Sequence, residues 1–343
     1  NNSVETKQSK LYTEFYKGFL LALKDVNERY NDNEINVYTY DTEGTTDKLM
    51  SILSIDEVKE MDLIFAPDVL EQLDSISSFS KSNGIYVVNT FSVKDENYDN
   101  NPYMFQINIP QDNMYADVCD WISKDFKDYE VVFIHKKGNA KKDIADNLKG
   151  YLEQERRTVK EVEYSSVLTC EELLEVVNVN EKTLFIPTSG TKASLSQMIP
   201  ALKKLRDENP VMESAVVGYP EWAVYMEDWK QDFHTINAHF YSRVFVDEKA
   251  KDFEKFNSEY LKWYGEDLIE STPCFGYLGY DTGKYFLSEM CKNGKDFNQN
   301  SSEYVGLQSS FEFDRINSWS GFVNQALYLV HFTSNDKIEI TIK

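Results

Sequence analysis

Short apolar runs separated by amphipathic helical stretches recur along most of the chain, and this alternation constrains the fold more than any other feature. Asp62-Leu63-Ile64-Phe65-Ala66-Pro67 and Ile85-Tyr86-Val87-Val88-Asn89-Thr90 are two such runs. Runs this short and this apolar suit strands buried on both faces of a parallel sheet, with the intervening helices as crossovers. Residues 11–31 place Leu11, Phe15, Phe19, Ala22 and Val26 at three- and four-residue spacing, which predicts an amphipathic helix with Gly18 inside it. Residues 35–41 alternate with period two and end in the turn Asp41-Thr42-Glu43-Gly44, which predicts a strand.

Residues 93–102 are dense in Asp, Asn and Pro and interrupt the pattern. An extended stretch, residues 103–110, leads out of the break, and the alternation restarts. Helices are expected over 114–126, 142–155 and 194–206, and strands over 130–135, 183–187 and 214–219. Further on, 236–246 reads as extended, 249–264 as an aromatic-rich helix ending at Gly265, and 279–292 as a helix stopped near Gly294. The tail, residues 325–330 and 337–342 around Thr333-Ser334-Asn335-Asp336, reads as a β-hairpin. A length of 343 residues fits about two domains. Two α/β units with no Gly/Ser linker between them imply a chain that crosses between lobes more than once.

Charge narrows the partners. Lys plus Arg number 36 and Asp plus Glu 58, a net charge of −22 that repels phosphate backbones and anionic lipid. The only dense basic group is Lys136, Lys137, Lys141 and Lys142, and it lacks interleaved aromatics. Nucleic acid is therefore not an expected partner. No stretch reaches the 18 or so consecutive apolar residues of a membrane helix, and Asn1-Asn2-Ser3-Val4-Glu5-Thr6 does not read as a signal peptide. The four cysteines, Cys119, Cys170, Cys274 and Cys291, are scattered and read as small buried hydrophobes rather than a disulfide framework.

The signatures of catalysis are missing. No G-x-G-x-x-G follows a strand and no G-x-S-x-G elbow exists. Ser189-Gly190-Thr191-Lys192 has the end of a phosphate loop, but Phe185 stands where its first glycine belongs. Of four histidines, His234 and His239 are expected on one extended segment pointing to opposite faces, which does not build a shared metal site. No enzyme, cofactor or metal is expected.

Tyr219-Pro220-Glu221-Trp222-Ala223-Val224-Tyr225 is more informative, because it follows a predicted strand, where open α/β sheets place their ligand loops. An acid between large aromatics can accept from, and stack over, a ligand ammonium or sugar hydroxyl. Equally, Tyr219 and Trp222 can pack between strand and helix, with Glu221 in the helix's first turn. Comparable strand-end loops are Pro67-Asp68, Asn89-Thr90-Phe91-Ser92, Lys136-Lys137-Gly138-Asn139 and Thr188-Ser189-Gly190-Thr191, each of which also reads as ordinary N-cap chemistry.

The order of elements resembles the type I periplasmic binding proteins, the Leu/Ile/Val-binding class of solute receptors. Residues 16–27, YKGFLLALKDVN, are similar to that family's first helix, with its glycine, following alanine and acidic-x-Asn end. Leu63-Ile64-Phe65-Ala66-Pro67 resembles its strand into a Gly-Pro turn, and residues 84–90, GIYVVNT, its "G-I-P-V-I-S" strand. Residues 101–107 resemble the first crossing between lobes. Residues 253–265 and Gly279-Tyr280-Asp281-Thr282-Gly283 look like the "F…Y…YG" helix and the "YDA" helix start, and 306–313 with Asn324 like the family's ending. The resemblance implies two doubly wound Rossmann-like lobes joined by three hinge crossovers, the first lobe 1–109 plus 246–305 and the second 110–245 plus 306–343.

It further implies a ligand held by Asn89, Thr90 and Ser92 on the first lobe, and by Ser189, Tyr219 and Glu221 on the second; the strand-end loops and the aromatic cluster add Asp68, Asn139 and Trp222 as candidates. Three features depart from the family. Its first strand is absent from these residues, Asp68 and Glu71 stand where small hydroxyl donors are usual, and the loop after His135 carries lysines rather than a tyrosine. The implied function is non-enzymatic capture of a small polar ligand, amino-acid-like or cell-wall-derived, in the bacterial periplasm or outer envelope, with a signal or lipid anchor upstream. The alternative is a protein-interaction module of cell-wall synthesis, with an envelope protein as partner, whose cleft is filled by Phe91, Tyr219 or Trp222.

Overall fold

The computed structural model describes residues 7–66, 70–93, 97–299, 302–315 and 317–343. The chain first forms α1 (Lys7–Arg29), α2 (Thr46–Leu53), β1 (Leu63–Ala66), α3 (Leu70–Asn83), β2 (Tyr86–Asn89) and β3 (Met104–Gln106). It continues with α4 (Gln111–Asp125), β4 (Glu130–Lys136), α5 (Asp143–Gln154), β5 (Val159–Tyr164) and α6 (Cys170–Leu174). Then come β6 (Thr183–Pro187), α7 (Lys192–Glu208), β7 (Ser214–Val217), α8 (Trp222–Thr235) and β8 (Ala238–Ser242). The last third holds α9 (Lys251–Tyr264), α10 (Phe275–Asn293), β9 (Tyr304–Val305), β10 (Ser310–Phe311), β11 (Phe313–Asp314) and β12 (Phe322–Asn324). It ends in the hairpin β13 (Tyr328–Phe332) and β14 (Ile338–Ile342).

These elements form two compact units, Asn1–Pro110 with Val244–Ala326, and Gln111–Arg243 with Leu327–Lys343. The first unit holds a sheet in the order β1-β2-β3-β12-β11, parallel from β1 to β12 and closed by antiparallel β11. Period-two alternation divides its side chains between two cores. Val87, Met104 and Val323 face Leu49, Ile52, Leu73 and Ile76 from α2 and α3. Val88, Phe105 and Phe322 face Phe15, Leu278 and Phe286 from α1 and α10. The sheet therefore has helices on both faces, as the apolar runs predict. Residues 306–326 differ from the implied lobe boundary: β12 pairs with β3 at Phe322–Phe105, which places this segment in the first unit.

In the first unit α1 and α10 lie together at backbone distance. A Cβ on Gly18 would come 1.9 Å from the Gly276 carbonyl oxygen, and one on Gly279 would come 1.9 Å from that of Phe15. Any side chain at either position would force the helices apart. Two buried acids tie this helix pair down. Glu14 accepts from the backbone N–H of Gly276 at 3.1 Å, and Asp281 accepts from those of Leu307, Gln308 and Ser309 at 2.7, 3.0 and 2.9 Å.

The second unit is a seven-stranded sheet in the order β14-β13-β8-β7-β6-β4-β5. Strands β8, β7, β6, β4 and β5 are parallel, and β13 and β14 are antiparallel at one edge. Every residue of β6 is buried, as a strand covered on both faces must be. The hairpin forms in the expected place, and α9 ends at Gly265 in the left-handed conformation.

Two further expectations differ from the structure, and one strand carries no signal in the sequence. Residues 35–41 form no strand, because among the described residues no neighbouring strand offers them a ladder; Val37, Tyr38 and Tyr40 are exposed. β5, with Lys160, Glu161 and Glu163 in six residues, was not apparent as a strand; it is the half-exposed edge of its sheet. His234 lies in α8 rather than on an extended segment, its Nδ1 2.8 Å from the Thr333 carbonyl oxygen, and only His239 is on β8. Cys119, Cys170 and Cys274 are free and buried, and Cys291 is free and half-buried. No described helix is long and apolar enough to cross a membrane.

Candidate functional site

In the second unit the parallel strands follow the chain order 5-4-6-7-8 across the sheet, so the direction of winding reverses between β4 and β6. Loops leaving the carboxyl ends of strands at such a reversal diverge and open a crevice, the usual place for a ligand. The loops are pinned where they leave the sheet. Thr188 donates its N–H to Ile134 O at 2.9 Å and accepts from Lys142 N at 2.9 Å. Its Oγ1 lies 3.0 Å from His135 Nδ1.

The crevice-side residues converge on Tyr219. Its hydroxyl donates to Pro187 O, and its ring lies edge-to-face with Tyr241 at 6.5 Å. Lys142 Nζ stands 4.8 Å from the Tyr219 ring centroid and forms an ion pair with Glu221. The close approach depends on Gly190, where a Cβ would come 2.9 Å from Tyr219 Cδ2 and 3.2 Å from Lys142 Cε. Glu221 Oε1 takes the lysine, and its Oε2 has no hydrogen-bond partner among the described residues. Tyr115, from the first half of α4, interacts electrostatically with Tyr219 and Tyr241, and Arg243, just after β8, with Tyr241 and Tyr115.

Burial, more than any charge, sets the ionisation of this group. It raises the phenols of Tyr219, Tyr241 and Tyr115, with Glu221 adding to the shift at Tyr219, so all three keep their protons at neutral pH. Burial likewise lowers the Arg243 guanidinium from its ordinary value. The Lys142 and Glu221 side chains are 32% and 44% exposed, so their pair adds about 0–1 kcal/mol to stability.

The other expected residues take varied positions. Trp222 is fully buried and stacks on Phe233 at 5.1 Å, with Gly218 so close that a Cβ there would reach its ring at 2.3 Å. Trp222 is therefore a packing residue of its own unit. Ser189 Oγ lies 3.3 Å from Thr191 Oγ1, beside the start of α7. Asn139 is exposed in the turn after β4, its N–H donated to Lys136 O at 3.1 Å. Lys142 was noticed in sequence only as part of a basic quartet; its spacing from Glu221 carries no signal, since 79 residues separate them.

In the first unit, Asn89, Thr90 and Ser92 follow the carboxyl end of β2. Asn89 Nδ2 donates to Gln106 Oε1 at 2.7 Å and its Oδ1 accepts from Ser92 N at 3.3 Å, which rigidifies the loop. Thr90 is fully buried, and its Oγ1 has no hydrogen-bond partner among the described residues. Phe91 packs within its unit, stacked on Tyr12 at 5.4 Å and near Phe15 and Phe275. Asp68 lies outside the described residues. Among the described residues no group of three or more His, Cys, Asp or Glu is placed to hold a metal.

No protein-family model matches the chain, and no curated protein does. Solved structures do. A putative branched-chain amino acid ABC transporter protein from Rhodospirillum rubrum superposes with a TM-score of 0.64 at 12% identity, over 98% of this chain and 97% of that one. The fold is that of the type I periplasmic binding proteins. An ABC-type branched-chain amino acid transporter protein from Rhodopseudomonas palustris shares the type I fold, with a TM-score of 0.57 at 13% identity over 95% and 89% of the two chains. So does a branched-chain amino acid ABC transporter periplasmic ligand-binding protein from Burkholderia xenovorans, with a TM-score of 0.53 at 15% identity over 99% and 92%. At these identities the likeness concerns the type I fold, and the chemistry of the site rests on this chain's own residues.

Proposed function

We propose that the chain is a non-enzymatic extracytoplasmic binding protein that captures a small polar ligand, amino-acid-like or cell-wall-derived. The observation that carries this reading is the group Lys142, Tyr219, Glu221 and Tyr241 near the carboxyl ends of β4, β7 and β8, where an ion pair meets two aromatic rings. In the first unit, Thr90 has an unpartnered buried hydroxyl at the end of β2. Full-length likeness to ABC transporter ligand-binding proteins supports solute capture over the cell-wall interaction module, and with it a periplasmic or envelope location. Phe91 and Trp222 are engaged within their own units, which also favours capture.

A thermal-shift screen of amino acids, organic acids, sugars and cell-wall fragments tests this. A ligand present at 100 times its dissociation constant stabilises the native state by about 2.7 kcal/mol, a rise of several degrees in a protein this size. A rise with one chemical class, lost in Tyr219→Ala, is the expected result. A cooperative melt unmoved by every compound contradicts it.

A further inference from the structure

We propose that the ligand is an organic anion without a free ammonium group: a carboxylate on an apolar or aromatic body, received by Lys142. This deepens the function proposed above and rests on it. Glu221 is the acid that a ligand amine would otherwise seek, yet its Oε1 is already engaged by Lys142. Lys142 does not reach there by chance of rotamer. Its backbone N–H is fixed to Thr188 O at 2.9 Å, its Nζ lies 4.8 Å from the Tyr219 ring centroid, and the absence of a side chain at Gly190 leaves room for its stem. The lysine therefore holds the place of a ligand ammonium, in the geometry of an acid and an aromatic ring around a cation.

The charge balance of the loop points the same way. In a chain of net charge −22, Lys136 ends β4, and Lys137, Lys141 and Lys142 all belong to the connection from β4 to α5. Lys141 lies 4.0 Å from Glu161, and Arg243 adds another cation to the tyrosine group. With Glu221 Oε1 already taken by Lys142, an entering ammonium finds a neutralised acid, whereas a carboxylate can use the lysine's remaining N–H groups as charge-assisted donors. Tyr115, Tyr219 and Tyr241, all protonated, add no negative charge to repel such a ligand.

Matched pairs isolate the ammonium. L-Leucine and 4-methylpentanoate share a carbon skeleton, as do L-phenylalanine and 3-phenylpropanoate, and each pair differs only in the amine. Isothermal titration of the whole chain is expected to show the deaminated acid binding at least tenfold more tightly in one pair. Lys142→Met is expected to reverse the order by freeing Glu221, and Glu221→Gln is expected to retain the preference for the acid. Tighter binding of the amino acid by the native chain, with loss in Glu221→Gln, overturns the inference while leaving solute capture intact. An order unchanged in Lys142→Met also overturns it. No binding by native chain or variants, each with a normal melting transition and no response in the wider screen, removes the functional reading and this inference together.

Discussion

Asp281 concentrates the physics of the first unit in one side chain. It is fully buried, and burial raises its carboxyl to about 6 despite three backbone N–H donors that favour the charged form. Between about pH 4 and pH 6 the native state keeps this proton and the unfolded state has lost it, so the group's contribution falls as pH rises through that window and is constant above it. Asp281→Asn is expected to remove that slope from a plot of unfolding free energy against pH. Asp281→Ala leaves the N–H groups of Leu307, Gln308 and Ser309 without their acceptor, at a cost of about 3 kcal/mol or more in urea unfolding. A loss under 1 kcal/mol would show that the loop finds other partners. Asp281 stands in the helix-start motif that marked the family resemblance, but nothing in the sequence announced that it ties down residues 307–309. Glu221 was legible as a candidate because it follows a strand between aromatics. Its lysine was not, since the pairing is made by the fold and not by spacing.

At the scale of elements, the contact of α1 with α10 decides the first unit. Helix propensity alone would make Gly18→Ala stabilising by about 1 kcal/mol. The Gly276 carbonyl oxygen at 1.9 Å from the new Cβ reverses that, and a net loss of about 2 kcal/mol or more is expected in chemical denaturation. Stabilisation by alanine would mean the helices are not held this close. Apolar runs such as 183–187 and the hairpin were readable because burial on both faces, or regular alternation beside a turn, leaves a mark in composition. The false strand at 35–41 has that same alternation, and β5 lacks it. What separates them is a partner: β5 is held by β4 over six residue pairs, from Val131–Val159 to Lys136–Tyr164, and no described strand pairs with 35–41. Alternation reports a possible face, whereas hydrogen bonding needs a neighbour.

For the whole molecule, the buried groups Asp281 and His239, one in each unit, respond to acid in opposite senses. His239, stacked on His331 at 3.9 Å and edge-to-face with Phe126, is pushed down to about 3, first by burial and then by the charge of His331. Between pH 6.5 and about 3 the unfolded chain binds this proton and the native chain does not, so the second unit loses stability as pH falls. Glu339, 3.5 Å from His331, moderates the effect on that neighbour. His239→Phe is expected to flatten the acid limb of the second unit's melting curve, and an unchanged limb would assign it to other groups. The division into two α/β units was legible from the restart of the pattern after 93–102, but the return of residues 306–326 to the first sheet was not, because the short strand β12 carries no periodicity of its own.

The account's central claim is that this chain holds a small molecule. Native mass spectrometry of the purified chain, before and after unfolding and refolding in the presence of an organic-acid pool, tests it most directly. One molecule bound per chain, released on denaturation and regained on refolding, is the predicted result. A refolded chain that stays at its own mass throughout would contradict the account.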